Sequence, residues 1–425
     1  MIPESIPAPS GQRWLYIDFN SYFASVEQQL RPALRGQPVA VVPVASDSTC
    51  AIAASYEAKA FGIKTGTPVW EAKRLCPNLI CVLARHEYYV AFHHRLLAEV
   101  ERYIHVDAVC SIDEAACQLM NNETAPERAI EIAHAIKRGL AHNIGEYIRC
   151  SIGIAPNRYL AKIAADMQKP DGLTLLEPVD LPERLLGLQL RDLPGVGRNL
   201  ERRLLAAGIT DLHSLWMLDA SQLRRVWGSI WGEKIWYLLR GFDFSEVPTQ
   251  RRSIGHSHVL APALRDPVGA RHIARRLTLK AASRLRRLGY YASAFCFSAR
   301  LEDGARHEAH QHCRPAQDNA TFLQLLDQAW QRGLPMSPTL RIKKVSVNLQ
   351  GLVPSHQLQL DLFDHPDQGL QTRQKAENLS RTLDRINQRF GRDSIHVGML
   401  SGQGSGFSGS KIAFTRIPDL EEFLE

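Results

Sequence analysis

Short apolar runs alternate with helical patterns from Trp14 to Met167, and this alternation constrains the fold more than any other feature of the sequence. The apolar runs are too short for helices and predict buried strands at residues 14–17, 39–44, 50–54 and 150–154. Amphipathic patterns predict helices at residues 55–61, 86–103, 125–143 and 158–167. A chain that alternates in this way builds a mixed sheet with helices packed on it, so we predict an α/β (α+β) fold.

The pattern changes after residue 178, where it becomes purely helical up to about residue 242. A linker at 247–252 then leads into a second α/β module, in which Asp266 can cap a helix with Pro267 in its first turn. Strand-like alternation follows at 293–301 and 345–349, and the tail holds one helix at 371–390. At 425 residues, the chain should hold about three domains.

Positive charge is concentrated in the second α/β module. Residues 251–350 hold seventeen lysines and arginines against six acids, a net +11 in a chain whose total is +7, so the remainder carries −4. A localised positive face of this kind predicts a polyanionic partner, most often nucleic acid. The alternative is a basic helix face that is merely solvated.

Several protein classes are excluded by composition. No apolar run reaches the ~18–20 residues that a membrane helix needs, and the N-terminus lacks the apolar segment of a secretory signal. The eight cysteines include no CxxC pair, which is typical of reduced thiols in a cytosol. We therefore expect a cytoplasmic protein with no membrane contact.

Three acidic residues are candidates for metal chemistry. Asp18 ends the first predicted strand, and Asp113 and Glu114 are adjacent in the segment SIDEA. Adjacent residues on a strand point to opposite faces, so both can serve one site only where the backbone bends, as at a hairpin turn or a bulge. Converging carboxylates repel one another unless a divalent cation lies among them, and two Mg²⁺ ions are the usual arrangement in phosphoryl transfer. Taken alone, however, such acids are more often structural.

Five motifs occur in order along the chain: DFNSYFASVE, SYEAKAFGIKTG, SIDEA, APNRYLAKIAADMQKPDG and LPGVG. Together they resemble the Y family of DNA polymerases, the translesion enzymes of the bacterial polymerase IV and polymerase V type. The resemblance covers about residues 13–352. It implies a DNA-directed DNA polymerase of low fidelity, without proofreading, that acts on primer–template DNA and deoxynucleoside triphosphates in translesion synthesis and the SOS response.

The resemblance also implies a right-hand polymerase fold with small fingers and an open, permissive active site. Its parts are a palm at 12–20 and 88–178, fingers at 21–87, a helical thumb with a helix-hairpin-helix at 179–246, a linker at 247–254, a basic α/β little-finger domain at 255–352, and a tail at 353–425.

In the palm, Asp18, Asp113 and Glu114 match the catalytic carboxylates of the family, and with the Phe19 carbonyl they would hold two Mg²⁺ ions. This set is the active-site metal centre that the resemblance implies.

Four further residues match the nucleotide-binding positions of the family. Phe23 corresponds to the steric gate, a ring beneath the sugar that would clash with a ribose 2′-hydroxyl. Tyr56, Lys59 and Lys169 correspond to contacts with the triphosphate, where cations neutralise charge on the leaving pyrophosphate.

DNA contacts are predicted in two places. The LPGVG segment matches a helix-hairpin-helix in which Gly195 and Gly197 let the backbone approach a phosphate; a tight helix–helix turn is an equally good interpretation of these glycines alone. In the basic module, the candidate DNA-binding residues are Arg271, Arg275, Lys280, Arg284 and Lys343.

The segment QLDLF follows the basic module and resembles the peptide by which bacterial polymerases bind the sliding clamp (the beta subunit). Leu362 and Phe363 would fill an apolar pocket while Gln359 hydrogen-bonds at its rim, and Leu360 is a further candidate clamp-binding residue. The alternative is an ordinary amphipathic strand end. Other SOS mutagenesis proteins are further candidate partners.

His307, His310, His312 and Cys313 carry metal-binding side chains in one short stretch. Their spacing matches no standard zinc site, so a polar hairpin near DNA is the favoured interpretation.

Two other functions are compatible with parts of this pattern. A catalytically silent, polymerase-like accessory factor in SOS mutagenesis would bind DNA and the sliding clamp, but it has no need for three clustered acids. A helix-hairpin-helix nuclease or glycosylase would need a catalytic base or lysine near LPGVG, and the sequence offers no evident candidate.

Overall fold

The computed structural model describes residues 11–244, 250–334, 339–359 and 369–391, together with 394–395, 397–398 and 417. The chain forms two compact units: residues 11–244 belong to the first, and residues 250–398 of the described chain belong to the second. None of the helices in these described ranges combines the length and the apolar character needed to cross a membrane.

The first unit contains two sheets. Its strands are β1 (Trp14–Phe19), β2 (Val39–Val42), β3 (Ala53–Ala54), β4 (Ile80–Leu83), β5 (Ala108–Ser111), β6 (Glu114–Gln118), β7 (Cys150–Ala155) and β8 (Leu173–Leu175). The larger sheet has the order β5-β6-β1-β7-β8 and draws its strands from the predicted palm. The smaller sheet, in the order β3-β2-β4, lies within the predicted fingers.

Helices alternate with the strands of these sheets, and the last part of the unit is helical. They are α1 (Tyr22–Leu30), α2 (Tyr56–Lys59), α3 (Val69–Leu75), α4 (His86–Val100), α5 (Pro126–Asn143), α6 (Arg158–Met167), α7 (Arg198–Ala206), α8 (Leu212–Trp216), α9 (Ala220–Trp227) and α10 (Ile230–Leu239). The last four fall in the predicted thumb and contain the helical pattern expected after residue 178.

The centre of the larger sheet is β1, which pairs antiparallel with β6 on one side and β7 on the other. Its residues from Leu15 to Phe19 are buried, as expected for a strand with both faces covered. Helix α6 packs directly on β7 because Gly153 has no side chain: a Cβ there would collide with backbone atoms of Ala161 and Ala165. This close approach places the polar side of α6 beside the end of β1.

The second unit is an antiparallel sheet with helices on one face. Its strands are β9 (Ser253–Val259), β10 (Tyr290–Leu301), β11 (Arg306–Ala316) and β12 (Ile342–Pro354), in the order β11-β10-β12-β9, and its helices are α11 (Pro267–Arg287), α12 (Asn319–Gly333) and α13 (Gly369–Phe390). Asp266 caps α11 as predicted, because its carboxylate accepts hydrogen bonds from the backbone N–H groups of Val268 and Gly269. Apolar side chains of α11, α12 and the sheet form one core.

Two features of this unit differ from the predicted boundaries. Strand β9 begins at Ser253, inside the segment predicted as linker. Helix α13, which was predicted in the tail beyond the basic module, packs against α11 and α12. The buried Glu377 carboxylate of α13 accepts hydrogen bonds from Tyr291 at 3.0 Å and Gln317 at 2.7 Å, which fastens this helix to the basic module. The clamp-binding residues Leu360, Leu362 and Phe363 lie outside the described residues; Gln359 is described and exposed.

Candidate active site

Strand pairing brings the three predicted acids to one end of the larger sheet. Asp18 on β1 lies directly opposite Glu114 on β6. The hairpin between β5 and β6 turns at Asp113, whose backbone carbonyl accepts a hydrogen bond from the Phe19 N–H at 2.8 Å. The turn supplies the bend that two adjacent acids require to serve one site.

A lysine that the sequence analysis did not single out bridges the acids. The Lys162 ammonium on α6 lies 2.7 Å from an Asp18 carboxylate oxygen and 2.5 Å from Glu114. Lys169, which was predicted, also contacts Asp18 at 2.7 Å, and Asp166 contacts both lysines. Lys162 lies in the quoted motif APNRYLAKIAADMQKPDG, and its i,i+4 spacing to Asp166 was the available signal.

The electrostatics of the acids differ sharply. Burial works against the charge of Asp18, but the Lys162 and Lys169 ammonium groups outweigh it, so the pKa of Asp18 lies below its ordinary value. Burial raises the pKa of Asp113 to about 6, and the neighbouring carboxylates of Asp18 and Glu114 act in the same direction. A hydrogen bond from Ser111 offsets only part of this. The site therefore has an excess of negative charge that further positive charge would relieve.

The same residues fit a divalent cation. Among the described residues, the three acids do not close into a compact ligand cluster; a lysine ammonium bridges two of them instead. That monovalent group compensates two carboxylates and leaves Asp113 with a raised pKa. Carboxylate oxygens are the ligands that hard divalent cations prefer.

Asp113→Asn should stabilise the fold in the absence of metal. The folded-state pKa of about 6 exceeds the ordinary 3.8, so the native state binds the proton more tightly and loses stability as pH rises from about 4 to about 6. Asparagine never ionises, and we expect it to raise the free energy of unfolding by about 1–3 kcal/mol above pH 6. Melting curves in a chelator at pH 4 and pH 7.5 measure this. The gain in the free energy of unfolding should vanish at pH 4. An Asp113→Asn variant that is less stable than the wild type at pH 7.5 would contradict the raised pKa of Asp113.

Beside the acids, Tyr56 and Lys59 on α2 form a second polar group. The Lys59 ammonium lies 4.3 Å from the centre of the Tyr56 ring. Burial and the positive charge of Lys169 lower the pKa of Lys59, whereas burial and the Asp18 carboxylate raise the pKa of Tyr56 to about 12. The Ser21 hydroxyl lies close enough to Tyr56 to influence the pKa of the Tyr56 hydroxyl. Both hydroxyls are buried, and neither makes a hydrogen bond of normal geometry to another described residue. Buried polar atoms of this kind are suited to an anionic ligand.

Phe23, the predicted steric gate, is buried in the first turn of α1. Its ring stacks on Tyr89 of α4, with ring centroids 4.3 Å apart and planes 14° apart. Tyr89 is fixed in turn, because its hydroxyl donates to the fully buried Glu27 at 2.9 Å and Glu27 forms an ion pair with Arg85 at 2.7 Å. The Phe23 ring, five residues after Asp18 in the sequence, is therefore held rigidly by Tyr89.

The LPGVG segment turns from a short 3-10 helix into α7. Leu193 and Val196 are buried and anchor the turn, while Gly195 and Gly197 are exposed. Gly195 has φ +90°, a conformation that favours glycine, and a Cβ at either glycine would meet no atom within 4 Å. The glycine backbone is thus accessible from outside, as an approaching phosphate group would require.

The predicted DNA-binding cations of α11 lie on the helical side of the second unit. Arg271 and Arg275 form ion pairs with Asp327 of α12, at 2.9 and 3.2 Å. Lys280 and Arg284 are partly buried, and Lys343 is exposed on β12. The two arginines therefore help hold the two helices together.

A different set of cations lies on the sheet face that points away from α11 and α12, which we call the outer face. Val345 and Val347 on β12 point into the core beneath the helices. Because successive side chains on a strand point to opposite faces, the neighbouring Lys344 points outward. In the strand register, Lys344 lies opposite Arg300 on β10, and Arg300 lies opposite Arg306 on β11. Like charges directly opposite each other destabilise a sheet, so this row indicates a polyanionic partner. This row could not be found from sequence, because it depends on strand register.

The four His and Cys residues near residue 310 do not converge. Cys313 packs against the helical core, whereas His310 and His312 lie on the outer face. Alternation along β11 places His307 on the same face as Cys313, opposite to the face of His310.

The chain resembles known proteins over most of its length. Residues 17–166 match the impB/mucB/samB family, residues 251–362 match the C-terminal domain of that family, and residues 191–243 match the thumb domain of DNA polymerase iota. It is 35% identical to DNA polymerase IV of Pelotomaculum thermopropionicum over 90% of this chain and 93% of that protein. It is 30% identical to DNA polymerase IV 1 of Bacillus subtilis over 90% and 92%, respectively.

Solved structures give the same result. A Y-family DNA polymerase chimera, Dbh-Dpo4(243-245)-Dbh, matches 80% of this chain and 99% of its own with a TM-score of 0.68 and 26% identity. An insertion ternary complex of Dbh DNA polymerase matches the same share with a TM-score of 0.54 and 27% identity. The chain belongs to the Y family of DNA polymerases.

Membership of the Y family confirms the predicted right-hand polymerase fold and a DNA-directed DNA polymerase of the translesion type. It does not favour the silent accessory factor. Y-family polymerases act with divalent metal ions, which agrees with the donor set at Asp18, Asp113 and Glu114.

Proposed function

We propose that this chain extends a primer 3′ end opposite damaged template bases, using two Mg²⁺ ions held by Asp18, Asp113 and Glu114, with the Phe19 carbonyl as a further ligand. The observation that carries this proposal is the pairing of β1 with the β5–β6 hairpin, which gathers the three acids beside Lys162 and Lys169. Bound there, the metal ions would activate the primer hydroxyl and neutralise charge on the phosphates.

The chain's own residues bind and orient the nucleotide. Lys59 and Lys169 supply positive charge for the triphosphate, and the Tyr56 hydroxyl, which has a raised pKa and stays protonated, is a neutral hydrogen-bond donor. Lys162 compensates Asp18 and Glu114 before metal enters. Phe23 lies rigid against Tyr89 and excludes a 2′-hydroxyl.

DNA is bound without reading its sequence. The accessible glycines of LPGVG let α7 direct backbone N–H groups at a phosphate. We assign most phosphate contacts of the basic module to the outer-face residues Lys344 and Arg300, which lie opposite each other in the sheet. Arg271 and Arg275 pair with Asp327 and join α11 to α12 instead.

Removing two outer-face charges, Arg300→Ser with Lys344→Ser, should weaken binding to primer–template DNA. Each lost phosphate contact should reduce the slope of log affinity against log salt by about 0.9, so the pair should reduce it by nearly two. Titrations by fluorescence anisotropy at several salt concentrations measure the slope. The matched control is Arg271→Gln with Arg275→Gln on the helical side, and a larger loss in this control would move the interface to α11.

We assign QLDLF to the sliding clamp, with other SOS mutagenesis proteins as further partners in the cytoplasm. Leu362→Ala with Phe363→Ala should shorten the products made in the presence of clamp by at least about tenfold, because tethering supplies the effective concentration of primer ends. Without clamp, product length should not change. An equal loss with and without clamp would mean that these side chains serve the fold instead.

The proposed function is tested by primer extension on an undamaged template and on one with an abasic site, with and without Mg²⁺. Extension past the lesion that depends on Mg²⁺ is the expected result. Tight primer–template binding with no extension would overturn it.

A further inference from the structure

Three metal-binding side chains meet on the outer face of the second unit, apart from the acids of the active site. Cys296 on β10 lies directly opposite His310 on β11, and Glu308 lies two residues before His310 on the same face. The Cys296 Sγ is 3.4 Å from Glu308 Oε1 and 3.7 Å from His310 Nε2, and the two latter atoms are 3.2 Å apart. Within the described ranges, no other His, Cys, Asp and Glu side chains form so compact a group of three or more.

These separations are those of three corners of a zinc tetrahedron. With Zn–S near ~2.3 Å and Zn–N and Zn–O near ~2.1 Å, a tetrahedral ion holds its nitrogen and oxygen ligands about 3.4 Å apart. Each of them then lies about 3.6 Å from the sulfur ligand. The observed distances of 3.2, 3.4 and 3.7 Å deviate from these values by about the tolerance of a metal site.

The surroundings hold the three donors in place. Cys296 is 6% exposed and belongs to no disulfide, so its sulfur is fixed by the sheet. The second oxygen of Glu308 pairs with Arg306 at 3.2 Å, which leaves Oε1 directed at the other two donors. His310 is 57% exposed and leaves a fourth position for water or a ligand from outside.

We propose that Cys296, Glu308 and His310 bind a single Zn²⁺ ion on the outer face of the sheet. Sulfur and imidazole donors select Zn²⁺ over Mg²⁺, which takes oxygen ligands, so this site and the palm acids differ in metal preference. Binding displaces the thiol proton to solvent, and the resulting thiolate and the Glu308 carboxylate together balance the charge of the ion. The site therefore loses its net negative charge beside the row of outer-face cations.

The competing explanation is an ordinary hydrogen-bond triangle, in which the Cys296 thiol donates to Glu308 and His310 pairs with the same carboxylate. Such a triangle needs no metal and gives the protein no thiolate–metal bond. The two explanations are distinguished by spectroscopy.

The experiment is a Co²⁺ titration of metal-free full-length protein, followed by displacement with Zn²⁺. A tetrahedral site with a cysteine ligand gives a thiolate-to-Co²⁺ charge-transfer band, which the oxygen ligands of the palm cannot produce. We expect this band to saturate with one Co²⁺ per chain and to disappear on addition of Zn²⁺. Cys296→Ser should abolish the band, and His310→Ala should weaken Co²⁺ binding by at least about tenfold.

Two matched variants control for other donors: Cys313→Ser removes a thiol from the opposite face of the sheet, and His312→Ala removes the next imidazole on the outer face. Both should retain the band and the affinity. Absence of the band in the wild-type protein, or its persistence in Cys296→Ser, would overturn the proposal and leave the hydrogen-bond triangle. Because the readout is spectroscopic, the result does not depend on polymerase activity.

Discussion

Asp113→Asn or Glu114→Gln should reduce primer extension by at least about 10³-fold while leaving primer–template affinity close to that of the wild type. Both residues lie at the turn and start of β6 opposite Asp18, and neither belongs to the basic module. Each substitution removes one anionic ligand but keeps the shape of the side chain. Single-nucleotide insertion rates at saturating Mg²⁺, with anisotropy for DNA binding, measure the two effects separately.

Asp166→Asn is the matched control for this loss. Asp166 contacts the same two ammonium groups, Lys162 at 3.1 Å and Lys169 at 2.7 Å, but it is not among the proposed ligands. We expect it to retain most of the activity. Full synthesis by either Asp113→Asn or Glu114→Gln would refute the metal assignment, and a loss in Asp166→Asn as large as theirs would show that general loss of acidic charge is responsible.

Phe23→Ala should admit ribonucleotides, with discrimination between deoxy- and ribonucleotides falling by a factor on the order of 10². The wild-type ring is 4% exposed and stacked on Tyr89, so it cannot move aside for a 2′-hydroxyl at low cost. Removing the ring opens that space. The measurement is the ratio of kcat/KM for matched deoxy- and ribonucleoside triphosphates on the same primer.

Loss of a buried phenylalanine also costs about 3–5 kcal/mol of stability, so the variant must be shown to be folded. Phe23→Leu serves this purpose because it keeps most of the volume, and we expect it to lie between wild type and Phe23→Ala in sugar selectivity. Deoxynucleotide incorporation should persist in both. Unchanged selectivity in a folded Phe23→Ala would exclude Phe23 as the gate.

Local patterns in the sequence were sufficient for the main elements and for the family. The helix predicted at 158–167 is α6, and Asp266 caps α11, because helix periodicity and capping depend on residues close in the chain. The acids could be named because motif order resembles a family, and their convergence required only that the SIDEA segment turn, as it does between β5 and β6.

The tertiary structure decided which side chains meet across long separations. Lys162 reaches Asp18, 144 residues away, only because Gly153 lets α6 lie directly on β7. The outer-face row of Lys344, Arg300 and Arg306 follows from the register of three strands.

Strand register also decides which metal-binding side chains near residue 310 meet. Sequence proximity groups His310 with Cys313, whereas the structure groups it with Cys296 and Glu308. Alternation along β11 separates Cys313 from His310, and strand pairing brings Cys296 to His310 from 14 residues away. Sequence by itself determined the family and the main elements, since both depend on residues that are neighbours in the chain. The partners of those residues were decided by strand register and helix packing, in which a shift of one residue moves a side chain to the opposite face.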